Sequence, residues 1–385
     1  MNFDLTAEQA AFRGVVREFA NEVVAPRSAE ADLEEKLPLD VIKQMGDLGL
    51  FGLPFPAAVG GSDADAITVC LALEELGRVD QSVAITLSAA LGLAGNMLNR
   101  FGTDEQQERW LAPLARGEAL GGFGLTEPGA GSDAAEVHTT GRFEGGEWIV
   151  DGSKAFITNS GSAISTFNIV AAATEPAGGP HGISTIIVPT DTPGFEAGPS
   201  YRKLGWRASD THELVFRDCH VPQEYLLGQR GRGFSQCLAV LADGRIGVAA
   251  LSVGLAQGCL DEAVKYALQR ETFGRPIGAH QAIQFKIADM HARVETARLA
   301  TYRAAWLKDE GKEYVAAGSL AKLVASEAAV DNAREAVQIH GGYGFIEDFP
   351  VARFYRDAKV LEIGEGTSEI HRLILARDLG LPETF

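Results

Sequence analysis

A glutamate near the carboxyl end of the chain stands in a setting that favours proton transfer. Glu365 is followed by Gly366 and lies between an apolar run, residues 360–363, and a helix that we predict to begin near Ser368. The apolar run predicts a strand-like segment, and the glycine predicts a turn. A carboxylate on such a turn, backed by apolar side chains, can enter a dry pocket where its pKa rises and it becomes a base near neutral pH.

A second candidate segment is the loop of residues 123–133, with the sequence FGLTEPGAGSD. Glycine, serine and threonine allow close backbone approach and expose N–H groups, so such a loop can hold a ligand that carries phosphates. A tight surface turn between two strands is the alternative interpretation of this loop.

The loop, together with residues 356–359 (RDAK) and 365–369 (EGTSE), strongly resembles the acyl-CoA dehydrogenase family of flavoproteins. The resemblance extends along the whole chain. Further motifs follow in family order at residues 156–159 (FITN), 243–246 (DGRI), 270–274 (RETFG), 281–284 (QAIQ) and 338–344 (QIHGGYG).

The resemblance implies FAD as the cofactor. It implies flavin contacts from one set of residues, namely Phe123, Leu125, Thr126, Gly131, Ser132, Phe156, Ile157, Thr158, Thr367, Ser368 and Glu369. A second set resembles the residues that hold the pyrophosphate and adenosine end, and in the family these come from the neighbouring subunit: Arg270, Thr272, Phe273, Gln281, Gln338, Gly341 and Gly342. We therefore expect a homotetramer built as a pair of dimers.

The resemblance also implies a reaction. Glu365 would remove the α-proton of a saturated acyl-CoA while the β-hydrogen leaves as hydride to flavin N5, giving a trans-2-enoyl thioester. The backbone N–H of Glu365 and the ribityl 2′-hydroxyl would polarise the thioester carbonyl. Substrate contacts are expected from Ser132, Asp243, Gly244, Arg245 and Gly366. Electrons would pass to an electron-transferring flavoprotein.

Three positions depart from the usual family pattern. Phe156 stands where many members have tryptophan, so an aromatic face remains but the indole N–H is lost. Gly244 occupies the position where some relatives carry the base, which favours Glu365. Ala242 replaces an aspartate three residues before Arg245, which makes the pantetheine contact less secure.

Composition restricts the class of protein. With 34 Lys and Arg against 52 Asp and Glu, the net charge of −18 argues against nucleic-acid binding. The four cysteines lack close spacing and are expected to be buried and reduced, and the histidines lack metal-ligand spacing, so we expect no metal. The amino terminus lacks a signal-peptide pattern and no uninterrupted apolar run reaches about 18 residues, so we expect a cytoplasmic protein without a membrane span.

The residue patterns predict three domains: a helical domain over residues 1–120, a β-barrel or sandwich over 121–231, and a four-helix bundle over 232–385. The class is α+β, mainly α, which is also the acyl-CoA dehydrogenase fold. Trp148 and Val150 predict a strand that ends in a tight turn at Asp151-Gly152. The pair Glu74-Glu75 is expected on a solvated helix face.

Other functions stay open at this stage. An oxidase of the same fold would usually carry an extra C-terminal domain, whereas this chain ends about 20 residues after Glu365. A desaturase acting on a carrier-bound acyl group and a non-catalytic, nucleic-acid-binding flavoprotein are further alternatives. We expect a short- or medium-chain substrate, with the small residues Ala89 and Gly92 leaving room for it.

Overall fold

The computed structural model describes residues 4–382, and their architecture confirms the predicted fold class. The first part is helical. Thr6 caps the first helix in a capping box, because its hydroxyl accepts from Gln9 N while the Gln9 side chain accepts from Thr6 N. The helices of this part are α1 (Ala7–Phe19), α2 (Ala25–Glu34), α3 (Leu39–Asp47), α4 (Ala66–Gly77), α5 (Gln81–Ala89), α6 (Gly95–Phe101), α7 (Asp104–Gln106) and α8 (Ala112–Ala115).

The middle part is a sheet of eight strands in the order β6-β7-β3-β2-β4-β5-β8, with β1 pairing β4 in parallel. Buried apolar side chains such as Val150, Ile169 and Ile186 line the strands. The strands are β1 (Leu120–Gly124), β2 (Thr140–Glu144), β3 (Glu147–Thr158), β4 (Ser165–Ala173), β5 (Ile183–Pro189), β6 (Phe195–Ala197), β7 (Thr211–Pro222) and β8 (Leu226–Leu227).

The last part is a bundle of helices. Its longest helix, α9 (Gly233–Gln269), packs against the N-terminal helix α4 as well as against α10, α11 and α12 of the bundle. A short hairpin, β9 (Glu271–Thr272) and β10 (Arg275–Pro276), leads into the rest of the bundle. That consists of α10 (Gln281–Asp309), α11 (Val315–His340), α12 (Pro350–Leu361) and α13 (Ser368–Asp378). Helix α9 thus connects the two helical parts and carries Asp243, Gly244 and Arg245.

Two local predictions were wrong. The apolar residues before Glu365 are not strand-like, because α12 continues to Leu361. Leu361 is buried and Val360 half-buried at the end of this helix, whereas Ile363 lies in the following turn and is 57% exposed. Asp151-Gly152 is not a turn either. It lies inside β3, where the register shifts, and the tight turn falls at Gly145-Gly146, both with positive φ. Glycine at a strand irregularity gives the same local signal as glycine in a turn.

The prediction of a solvated Glu74-Glu75 pair was also wrong. The two residues are 2% and 1% exposed, respectively. Glu75 accepts from Arg13 Nε at 2.6 Å, while Arg298 Nη2 donates to Glu74 at 2.9 Å. These ion pairs join α1, α4 and α10, and they offset the cost of burying carboxylates. The sequence around the pair carries no sign of partners that are so distant.

Two helical stretches are long and apolar enough to cross a membrane by length and composition alone. They are Gln81–Phe101 and Gly233–Gln269, and 89% and 78% of their most apolar windows are buried inside the protein, as is usual for core helices.

Candidate active site

Glu365 lies on a short turn between α12 and α13, as the glycine beside it predicts. Its backbone is left-handed, with φ 53°, and Gly366 follows with φ 102°. Thr367 then caps α13, since its hydroxyl accepts from Ile370 N at 3.3 Å. The turn directs the carboxylate inward, where Oε2 is enclosed and has no hydrogen-bond partner among residues 4–382. Burial raises the pKa of Glu365 to about 7, against the opposing effects of Lys322 and Arg245.

Gly244 lies directly against this carboxylate. A methyl group built on Gly244 would come closer than 3.0 Å to Glu365 Oε2 and within 3.3 Å of Leu93 Cδ2. The structure therefore brings together the predicted base and the position where some relatives carry theirs. Gly92 approaches the same place, and a Cβ there would be 3.3 Å from Gly244 Cα. Its missing side chain lets α9 pack closely against it.

Arg245 is the next residue of α9 and is also buried, with 8% of its surface exposed. Its Nε has no hydrogen-bond partner within the described part of the chain. Burial lowers the pKa of Arg245, and the nearby Glu365 opposes that effect. An unpaired guanidinium nitrogen beside a carboxylate provides a donor for an anionic or carbonyl-bearing ligand.

Lys322 and His371 belong to the same cluster, and the sequence analysis did not find them. Lys322 is fully buried on α11 and donates from Nζ to the Gly366 carbonyl at 2.6 Å. His371 on α13 is fully buried, and a Cβ on Gly366 would lie 3.2 Å from its Nε2. Neither residue lies in a recognisable motif, and a lysine in a helix normally predicts a solvated side chain.

The predicted flavin loop begins where β1 ends, and a buried ion pair holds it against β3. Lys154 Nζ donates to Glu127 Oε1 at 2.6 Å, and Glu127 also accepts from the N–H groups of His138 and Thr139. Burial alone would raise the pKa of Glu127, but Lys154 and these donors hold it below its usual value. The pair and the two N–H groups tie Glu127, in the middle of the loop, to β3 and to the residues just before β2.

The part of the same loop around Gly131 is open to solvent. Gly131 and Ser132 are exposed, and a Cβ built on Gly129 or Gly131 would meet no atom of residues 4–382 within 4 Å apart from its chain neighbours. Next to the loop, Thr126 O accepts from Ala155 N at 2.9 Å, which places Phe156 and Thr158 beside it. Phe156 is 65% exposed and has a positive φ of 60°. An exposed aromatic ring next to open glycine backbone is a surface that fits a planar ring system.

The loop also reaches α9. Leu125, Ala134 and Val137 pack against Phe234 and Cys237 of that helix, about two to three turns before Gly244. Because α9 runs on from this contact to Gly244 and Arg245, the predicted flavin loop and Glu365 lie along the same helix.

The second predicted set does not join this site. It forms the far end of the bundle, where Tyr266 of α9 stacks on His340 of α11 with ring centroids 4.2 Å apart. At a rise of about 1.5 Å per residue, α11 separates Lys322 from His340 by about 27 Å. Exposed members of the set at this end are Arg270, Phe273, Gln281, Gln338, Gly341 and Gly342, with Thr272 half-buried.

Asp243 is committed to other partners. Its carboxylate accepts from Asn96, Arg100 and Tyr314 at 2.7 to 3.1 Å, and Lys308 Nζ lies 3.1 Å away. This cluster lines a cavity of about 410 Å³ that reaches Gly92 and Gly244. Four partners leave the carboxylate few free acceptor positions, so a direct contact from Asp243 to substrate stays a prediction. Of the remaining predicted residues, Ile157 and Ser368 are buried, whereas Glu369 is exposed.

Comparison with known proteins agrees with this geometry. Three family models match in order: the N-terminal domain of acyl-CoA dehydrogenases at residues 6–118, the middle domain at 122–219 and the C-terminal domain at 231–380. The chain belongs to the acyl-CoA dehydrogenase family. It is therefore an oxidoreductase of a flavoprotein family, as the resemblance of its motifs predicts.

Individual relatives are similar over nearly their whole length. The short-chain specific acyl-CoA dehydrogenase of Clostridium acetobutylicum is 43% identical over 376 residues, covering 98% of this chain and 99% of the relative. The solved butyryl-CoA dehydrogenase of Megasphaera elsdenii has a TM-score of 0.95 at 42% identity, covering 98% and 100% of the two chains. A chain of the structure described as the electron transferring flavoprotein of Acidaminococcus fermentans has a TM-score of 0.96 at 44% identity, covering 98% and 99%.

Two more distant structures share the fold at 31% identity. One is the prolyl acyl carrier protein oxidase AnaB, with a TM-score of 0.92, covering 98% of this chain and 100% of AnaB. The other is PigA with FAD and proline, with a TM-score of 0.94, covering 99% and 100%. The acyl-CoA dehydrogenase fold therefore also occurs in a protein named as an oxidase of a carrier-bound substrate.

Proposed function

We propose that this protein is an FAD-dependent dehydrogenase that converts a short-chain saturated acyl-CoA to its trans-2-enoyl-CoA, with Glu365 as the base. The observation that carries the proposal is the enclosed Oε2 of Glu365, which has no partner among residues 4–382 and whose pKa is raised to about 7. A general base works best when its pKa lies near the operating pH.

The residues present fit a flavin. The open loop at Gly129 and Gly131, the exposed Phe156 ring and the half-buried Thr126 and Thr158 offer backbone N–H groups, a planar apolar face and hydroxyls. When bound, the flavin supplies the acceptor for the β-hydrogen and its electron pair. The buried Lys154–Glu127 pair keeps the loop in one position, so binding does not have to order it.

The proposed role of Glu365 uses both its side chain and its backbone. The carboxylate takes the α-proton, and the N–H of Glu365 donates to the thioester carbonyl, where negative charge develops. Arg245 places a positive charge near the Glu365 carboxylate. Gly244, which has no side chain, leaves space for that carboxylate to approach the substrate. Bound substrate would exclude water and raise the pKa of Glu365 further.

We also propose that the exposed set at the far end of the bundle serves the flavin of a neighbouring subunit. It lies about 27 Å along α11 from the cluster around Glu365, too far to complete the same site. Phe273 is 95% exposed and Phe345 is 87% exposed, so both rings are available for burial against a neighbouring subunit. A homotetramer arranged as a pair of dimers would cover these rings. We propose separately that the protein resides in the cytoplasm.

The short-chain assignment rests on similarity and on packing. The C. acetobutylicum relative is named short-chain specific, and the M. elsdenii structure is a butyryl-CoA dehydrogenase. In this chain the α9 backbone occupies the place where Gly92 was expected to leave room, since a Cβ on Gly92 would lie 3.3 Å from Gly244 Cα. Leu93 borders Gly244 as well, and this close packing beside Glu365 limits the space for an acyl chain. The proposed electron acceptor is an electron-transferring flavoprotein, supported by the similarity to a chain of the A. fermentans structure.

A second candidate function is oxidation of an acyl group bound to a carrier protein. It is supported by the similarity to the prolyl acyl carrier protein oxidase. Both candidates would use Glu365 as the base. They differ in the group that carries the acyl chain, which is CoA in the first and a carrier protein in the second.

Anaerobic titration of the purified, flavin-loaded protein tests the proposal. Saturated acyl-CoAs of four to sixteen carbons and branched acyl-CoAs are added one at a time while the oxidised flavin band is followed. Bleaching that is strongest with four- to six-carbon chains is the expected result. Bleaching by an acyl group on a carrier protein, and by none of the CoA esters, would replace the first candidate with the second.

A further inference from the structure

Lys322 is a buried cation that has no hydrogen-bonded counter-ion among the residues that the structure describes. Its side chain is 0% exposed, and the Gly366 carbonyl at 2.6 Å is its one hydrogen-bond acceptor within residues 4–382. Burying an ammonium group against a neutral carbonyl costs several kcal/mol. A methionine or leucine would fill the same space in α11 more cheaply, so packing alone does not account for a lysine here.

The acceptor of this bond belongs to a strained segment. Glu365 is a non-glycine residue with φ 53°, and Gly366 follows with φ 102°. Such backbone persists where surrounding contacts hold it in place. The hydrogen bond from Lys322 is one of these contacts, and it ties the turn to α11 across 44 residues of sequence.

In the part of the chain that the structure describes, two cations act on the Glu365 carboxyl, and Lys322 is one of them. Burial raises the pKa of Glu365, and Lys322 and then Arg245 oppose that rise. His371 adds no charge, because burial with Lys322 and Arg245 nearby lowers its pKa to about 3. Burial likewise lowers the pKa of Lys322 to about 8, so it is mostly charged at neutral pH. The remaining charged groups that act on Lys322 are Glu362 and Glu369.

We propose that Lys322 is a positioning residue for the Glu365 base. Its hydrogen bond to Gly366 holds the turn that directs the carboxylate inward, and its charge keeps the carboxylate ionised before substrate binds. This inference rests on the proposed function, since it takes Glu365 to be the base. Lys322 acts through Glu365 and needs no contact with substrate or flavin.

Three variants separate the charge of Lys322 from its hydrogen bond. Lys322→Met removes both, Lys322→Gln retains an amide donor without charge, and Lys322→Arg retains charge. In Lys322→Met and Lys322→Gln, the acid limb of the pH profile of kcat/KM should move upward by about 1 to 3 units, the effect of one charge at close range. Lys322→Arg should keep the limb near its original pH, unlike a variant that only disturbs packing.

The matched control is Lys359→Met. Lys359 is exposed on α12 and pairs with Glu362 at 2.5 Å, so its loss makes the same change of net charge near the turn without touching Gly366. The acid limb should not move in this variant. A movement equal to that of Lys322→Gln would show that net charge is responsible and would overturn the proposal.

A second readout does not depend on turnover. Infrared difference spectra between the protein and its Glu365→Gln variant, recorded over a range of pH, give the titration of the Glu365 carboxyl directly. The titration should move upward in Lys322→Gln by the same amount as the kinetic limb. A folded Lys322→Gln protein with an unchanged titration would overturn the proposal, and should Lys322→Met fail to fold, this variant still decides.

The two levels of the argument fail in different ways. If the Glu365→Gln variant reduced its flavin as fast as the original protein, the proposed function with Glu365 as the base would be refuted. Glu365→Gln without flavin reduction, combined with an unmoved titration in Lys322→Gln, would leave the function intact and remove only the role of Lys322.

Discussion

Adding one methyl group to Gly244 tests where the Glu365 carboxylate lies without altering its chemistry. In Gly244→Ala the new Cβ would be closer than 3.0 Å to Oε2, so the carboxylate must move by about 1 Å to regain van der Waals separation. A misplacement of about 1 Å at a reacting group can cost about 100-fold in rate. The change should leave the fold intact, since alanine inside a helix is more favourable than glycine by up to about 1 kcal/mol.

The assay is rapid anaerobic mixing of the flavin-loaded variant with butyryl-CoA, with thermal unfolding measured in parallel. We expect flavin reduction slowed by about 100-fold and an unchanged or higher melting temperature. Gly318→Ala is the matched control, because its methyl would meet Ile246 Cγ1 at 3.4 Å and Ala242 O at 3.6 Å, which are ordinary contacts with the same part of α9. A Gly244→Ala rate within threefold of the control would refute the geometry.

Three further predictions follow from charge and burial. The acid limb of the pH profile of kcat/KM should lie near pH 7, where Glu365 titrates. Because folding raises the pKa of Glu365, the stability that the protonated carboxyl contributes is lost as pH rises from about 4.5 to about 7. In urea unfolding, Glu365→Gln should therefore be more stable than the original protein by about 3 kcal/mol at pH 8 but by little at pH 4. Equal gains at both pH values would contradict this. Lys154→Met should cost about 3 to 5 kcal/mol in urea unfolding, and adding Glu127→Gln should recover part of the loss; no recovery would mean that the pair is not coupled. Arg270→Ala should lower FAD retention during gel filtration while Arg275→Ala on the same hairpin does not, and equal retention in both would contradict a phosphate contact from Arg270.

Local signals in the sequence predicted the parts of the fold that local chemistry decides. The residues Thr6 and Gln9 have the spacing of a capping box, which the structure contains, and α13 begins at Ser368 after the turn at Glu365, as predicted. A cap or a glycine turn is decided within a few residues, so one sequence is enough to find it.

Contacts between distant residues could not be predicted in this way. Glu74 and Glu75 have the pattern of a solvated pair, and only the arrangement of α1 and α10 around α4 supplies their arginine partners. Lys322 is 44 residues from Gly366 in sequence, and a lysine in an alanine-rich helix gives no sign that it is buried. Burial of a charged group depends on which helices surround it, and that information is absent from any short window of sequence.

The apolar residues before Glu365 show a third kind of difficulty. Val360 and Leu361 suit a strand as well as the last turn of a helix, because a short apolar run has no period of its own. The structure resolves the ambiguity through length, since these residues end a helix of 12 residues that begins at Pro350. The position of Glu365 was unaffected, because the turn at Gly366 fixes it in both cases.

The measurement that tests the central claim most directly is flavin reduction in Glu365→Gln. The variant protein, loaded with flavin, is mixed anaerobically with butyryl-CoA, and binding of the ligand is measured separately by calorimetry. The account predicts normal flavin content, retained ligand binding and flavin reduction slowed by at least about 100-fold, the usual effect of losing a general base. Reduction at the rate of the unaltered protein would contradict the assignment of Glu365 as the base.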